Sequence, residues 1–169
     1  MPESDSSARN AGLRFDLDRC QQVSVCDLSG AERFLVWAIR WRCSAQEDTE
    51  FADECLRDSF QRAGLQGAQC HLDRFVCSVC PQRLSCPAAQ RLGCWRLNPL
   101  EAHALHAVAC LQDGLIGEAW ATLRAVCPDT RLLSALESLQ ELGLALARSG
   151  GAIGRWRTGG PAACEALPH

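Results

Sequence analysis

The stretch CHLDRFVCSVCPQRLSC, residues 70–86, places four cysteines in seventeen positions. Their spacing is Cys70-x6-Cys77-x2-Cys80-x5-Cys86, and Cys94 follows after seven further residues. A C-x2-C pair lets two thiolates close on one metal centre within a tight turn. Structural zinc sites use two such pairs, or one pair with a closely spaced pair of histidines. Only one close pair is present here, and the other cysteines arrive singly at longer intervals. A cubane cluster suits that arrangement, because its four iron corners lie apart and take ligands one at a time. The expectation is therefore a [4Fe–4S] cluster held by Cys77, Cys80, Cys86 and a fourth ligand. Cys70 fits the run, and Cys94 and His71 are alternatives for the fourth place. Zinc on the same residues is the competing reading. So is a run of ordinary core thiols, since free cysteine is among the most buried residue types.

The x6–x2–x5 spacing resembles the iron–sulfur loop of the endonuclease III and adenine DNA glycosylase family. The C-x2-C-P-x4-C core, with Pro81 after Cys80, is similar to that of WhiB-type regulators, and a C-x2-C-x5-C run also ends the nitrogenase molybdenum-donor proteins. What these resemblances imply is cluster ligation by the matched cysteines. They do not carry a glycosylase activity: the chain has no lysine and no Gly-rich helical hairpin ahead of the run, and only about 70 residues precede it. The tight Gly-Gly-Trp turn of the regulators is replaced by GCWRLNP around Cys94.

Composition narrows the function further. All 17 basic residues are arginine, which removes P-loop, Schiff-base and pyridoxal-anchoring chemistry. The net charge of −3 offers no electrostatic case for nucleic acid. No apolar run approaches the ~20 residues that span a bilayer, and MPESDSSARN lacks the basic and apolar regions of a signal peptide. The reading is a cytoplasmic chain of bacterial composition, in which twelve cysteines would stay reduced. No Ser-His-Asp order, carboxylate pair or phosphate loop stands out, so the expected role is accessory rather than enzymatic, with a redox or metallocluster-assembly protein as partner and neither nucleic acid nor membrane. A zinc-stapled helical interaction module and a DNA-associated cluster protein are the alternatives.

The elements that must position the run read as helices, and the class is all-α. Residues 1–12 form a disordered tail, 13–148 one helical domain with a cysteine-rich loop over 65–97, and 149–169 a loose Gly/Pro-rich tail. SGAE at 29–32 is a capping box ahead of RFLVWAIRW, a central helix whose remaining polar face falls to Arg33 and Arg40. The next helix carries Phe51, Cys55, Leu56, Phe60 and Ala63 on one stripe and ends at Gly64. Asn98, Pro99 and Glu101 open a helix running to about Asp113, where Gly114 ends it. GEAWATLRAV completes an αα-hairpin, Pro128 stops it, and Asp129 or Thr130 opens a last helix with Leu132, Leu133, Leu136, Leu139 and Leu142 inward.

Other candidates are weaker. His103, His106 and Cys110 fall at i, i+3 and i+7, a face that can bind metal in helical bundles but is also compatible with partial exposure. Cys43, Cys55, Cys110 and Cys127 read as core. Arg74, Arg83, Arg91 and Arg96 flank the run, where they can offset cluster charge, dock an acidic partner, or stay solvated. Trp37, Trp41 and Trp120 read as core, and Trp95 as a shield for the cluster.

Overall fold

The computed structural model describes residues 22–44, 49–80 and 93–154. Within them lie six α-helices: α1 Gly30–Ser44, α2 Thr49–Arg62, α3 Gln69–Val79, α4 Pro99–Gln112, α5 Ile116–Leu123 and α6 Leu132–Arg148. Short 3-10 turns at Val25–Asp27 and Asp129–Arg131 precede α1 and α6. The only extended pairing among the described residues is one isolated antiparallel bridge, Ser24 with Arg96. The expected all-α class is what the structure has. No helix among these residues is long and apolar enough to cross a membrane.

Local chemistry sets the helix ends. At α1 the Glu32 backbone N–H donates to Ser29 Oγ and the Ser29 N–H to Glu32 Oε2, the expected reciprocal box. At α4 the Asn98 side chain accepts from the Glu101 N–H at 2.8 Å, with Pro99 at the first helical position. α4 ends in a Schellman turn, Gly114 N–H to Leu111 O and Leu115 N–H to Cys110 O, with Gly114 at φ +76°. Gly64 closes α2 in the same way.

α4 is the axis of the bundle. Every residue from Leu100 to Cys110 is buried, because α1, α5 and α6 pack around it. The approach of α6 is close at Gly143, where an added Cβ would stand 3.1 Å from Val108 Cγ1. α3 packs chiefly on α6 and also on α1. Arg42 of α1 ties α2 and α3 together through Asp53 and Asp73. Phe34 and Phe60 meet edge to face at 5.0 Å, and Trp41 Nε1–H donates to the Ala52 carbonyl. Trp37 and Trp41 are half-buried against the core, whereas Trp120, expected there too, is exposed.

Several expectations give way. Arg40 does not share a solvent face with Arg33; it is buried and ion-paired across 61 residues of sequence to Glu101. Phe51 and Leu133 are 57% and 58% exposed, and Ala63 is exposed too, because α2 and α6 bury narrower stripes than their apolar residues span. The span 65–97 is not one loop: α3 occupies 69–79, while 81–92 lie outside the described residues. Its apolar stripe Leu72, Phe75, Val76, Val79 has the i, i+3, i+4, i+7 period of a helix. Ser149–Gly154 also packs onto the body. Ile153 is buried, and Gln112 holds the segment by accepting from the Ile153 N–H and donating to the Gly143 carbonyl at 2.9 Å each. The expected tails at 1–12 and from 155 onward lie outside the described residues.

Candidate metal centre

α3 carries the first half of the cysteine run. Leu72, Phe75 and Val76 are buried, anchoring the helix, and its last turn holds Cys77. Cys80 takes the C-cap, its backbone N–H donating to the Val76 carbonyl at 2.8 Å. The C-x2-C pair thus straddles a helix C-terminus whose position is set by packing. Arg131 Nη1 donates to the Cys77 carbonyl at 2.9 Å, capping one of the carbonyls left open there. Cys77 is half-buried and Cys80 buried. Cys80 is disulfide-bonded in this structure, and a sulfur so engaged binds metal only after reduction.

Cys70 stands apart from this pair. Seven residues of α-helix place it about 10.5 Å from Cys77 along the axis. Its thiol is exposed and donates to the Gly67 carbonyl at 3.1 Å, in the direction of the helix N-terminus. Cys94 is a half-buried free thiol in the segment entering α4. Cys86 lies outside the described residues. With Cys80 reduced, the donor chemistry of Cys77 and Cys80 suits a thiolate-bound metal, and Cys70 stands two turns earlier on the same helix.

The segment bearing Cys94 is held from inside. Arg40 donates to the carbonyls of Cys94 and Arg96 and makes a two-pronged ion pair with Glu101, Nε to Oε1 and Nη2 to Oε2 at 2.8 Å each. The Asn98 backbone and amide N–H groups complete the carboxylate's partners. The hydrogen bond to Glu101 raises the Arg40 pKa against the opposing cost of burial, so the guanidinium keeps its charge. Trp95 is 56% exposed, with the Arg96 guanidinium 4.4 Å over its ring. Arg74 is exposed on α3, while Arg83 and Arg91 lie outside the described residues.

The core cysteines are largely where expected. Cys43, Cys110 and Cys127 are buried and Cys55 half-buried. Burial pushes the Cys43 thiol up to about 11, and raises that of Cys127 as well, which suits packing rather than nucleophilic chemistry.

The α4 histidines divide. His103 Nδ1–H donates to the Pro99 carbonyl at 2.6 Å. Burial lowers its pKa, with the Pro99 contact opposing. Because its folded pKa lies below the ordinary 6.5, the unfolded chain takes up the proton first. The contribution is complete above the unfolded value and is lost as pH falls below it. A His103→Gln variant should therefore show a shallower loss of stability than the parent between pH 7.5 and 5, read by urea unfolding at each pH; parallel curves would show that His103 does not contribute. His106 instead meets Cys110, Nε2 to Sγ 3.5 Å, and Glu118 of α5 completes a group whose donor atoms lie within 4.8 Å of one another. Glu118 was not among the sequence candidates; the signal was a carboxylate eight residues beyond Cys110, across a two-helix turn.

No family model, curated protein or solved structure matches this chain.

Proposed function

We propose that this protein is an iron–sulfur accessory protein, binding a [4Fe–4S] cluster through Cys77, Cys80, Cys86 and a fourth thiol, and acting in electron transfer, redox sensing or metallocluster assembly. The observation that carries this reading is the seating of the C-x2-C pair at the end of a helix anchored by Leu72, Phe75 and Val76. A pair placed in this way comes to a metal with little further loss of backbone freedom. For the fourth place Cys70, two turns before Cys77 on the same face of α3, stands beside Cys94, in the segment held by Arg40. When bound, the cluster supplies a one-electron couple. The chain's own residues set its surroundings, with Arg40 fixing the Cys94 backbone and the exposed Arg74, Arg96 and Trp95 offering contacts to an acidic protein partner.

The test is iron, acid-labile sulfide and absorption on protein purified without oxygen. Close to four iron and four sulfide per chain, about what a cubane contains, are expected. Serine at Cys77 or Cys80 should abolish both, and whichever of Cys70→Ser and Cys94→Ser lowers them strongly identifies the fourth ligand. A colourless protein with one zinc per chain would overturn the redox reading and leave a zinc-stapled interaction module.

A further inference from the structure

α4 and α5 form a hairpin across the turn Asp113–Leu115, and three side chains meet near its closed end. His106 and Cys110, one turn apart, share a face of α4, and Glu118 faces them from the first turn of α5. His106 and Cys110 are buried and Glu118 is exposed, so the group opens to solvent at the carboxylate. We infer that His106 Nε2, Cys110 Sγ and Glu118 Oε2 form a divalent-cation site of the Zn²⁺ type, separate from the cysteine run and using none of its residues.

Three features support this. The first is distance. Bond lengths of about 2.3 Å to sulfur and about 2.0 Å to nitrogen at a tetrahedral angle place those donors roughly 3.5 Å apart. The Nε2–Sγ separation is 3.5 Å, the Sγ–Oε2 separation 3.9 Å, and all donors lie within 4.8 Å of one another, so the histidine–cysteine edge already has the right spacing and the exposed Glu118 carboxylate closes in on the cation.

The second feature is ligand type. Imidazole, thiolate and carboxylate together suit Zn²⁺ or its substitute Co²⁺ better than the oxygen-preferring Mg²⁺ or Ca²⁺. The third is charge. On binding, the Cys110 S–H releases its proton to solvent, and the thiolate and carboxylate together offset both charges of the cation. The buried end of the site then holds no net charge, which removes most of the cost of placing an ion there. Three protein donors leave a fourth position on the open Glu118 side, where water can complete the tetrahedron. The bound ion would cross-link the hairpin whose turn depends on Gly114 at φ +76°.

The experiment is titration of the reduced, metal-free full chain with Co²⁺, following the visible ligand-field bands and the sulfur-to-cobalt charge-transfer band. Glu118→Gln alters an exposed side chain and keeps its shape. It should lower the affinity of one cobalt equivalent by at least ~10-fold, in line with the effect of losing even indirect partners of a metal. Its metal-free unfolding should match the parent's. Cys110→Ser should remove the charge-transfer band of that same equivalent. Cys77→Ser should leave it intact, which separates this site from the cluster loop. Titrations of Glu118→Gln and Cys110→Ser indistinguishable from the parent would overturn the assignment. So would loss of the equivalent in Cys77→Ser with retention in Glu118→Gln.

Discussion

Replacing Glu101 with alanine is expected to destabilise the fold by about 3–5 kcal/mol, the usual cost of stranding one member of a buried ion pair. Arg40 is 3% exposed and Glu101 fully buried, so the guanidinium left behind has no route to water without moving α1. The carboxylate also accepts from the Asn98 backbone and amide N–H groups, and its removal dismantles the α4 capping box at the same time. Against a total stability of about 5–15 kcal/mol for a domain of this kind, one substitution then leaves a substantial unfolded population. The comparison that isolates the cause is the double variant Arg40→Met with Glu101→Leu. Removing both charges should recover most of the loss, because desolvation offsets much of what a buried pair contributes. Urea unfolding of parent, single and double variants under reducing conditions measures it. A single-variant loss below about 1 kcal/mol, the range of an exposed pair, would show that Arg40 reaches solvent easily and that the clasp does not hold the segment bearing Cys94.

Phe75→Ala should cost a similar amount, about 3–5 kcal/mol, through lost transfer energy and the cavity left behind. Phe75 is fully buried, and it sits in α3 between buried Leu72 and Val76. α3 packs chiefly on α6, and also on α1. Among the described residues no hydrogen bond or ion pair involves the ring, so the loss should appear as a lower urea midpoint with unchanged slope. Because α3 ends at the Cys77–Cys80 pair, the content of the proposed cluster on anaerobic purification should fall with the folded fraction. It should recover at low temperature, where folding of the variant is restored. Serine at Cys77 would instead remove the cluster from a chain that remains folded. A Phe75→Ala protein with parental stability would mean that α3 is held by something other than its apolar stripe.

Much of this architecture was legible in the sequence because the signals are local. Ser29 with Glu32, Asn98 with Pro99 and Glu101, and the glycines at 64 and 114 each act on backbone groups within four residues. A short-range rule therefore reads them correctly. α3 was hidden for a different reason. Its stripe was present, but Ala68 supplies no side-chain cap, and a strong ligand pattern overlies the periodicity. The donor types of the cysteine run were likewise evident, whereas the distance between Cys70 and Cys77 follows only from their sharing one helix.

What the amino-acid sequence determined by itself was helical class, most helix ends and the chemistry of the candidate ligands. The tertiary structure alone decided which charged groups are inside. Arg40 has the same type and the same helix as Arg33, and no local rule separates them; Glu101, 61 residues away, does. It also decided that Ile153 belongs to the core, through Gln112, and that Phe51 and Leu133 do not. Finally, it brought Glu118 to His106 and Cys110. In each case the deciding interaction joins separate elements. Burial and ion pairing depend on which surfaces meet when helices pack, and a helix carries no record of its neighbour.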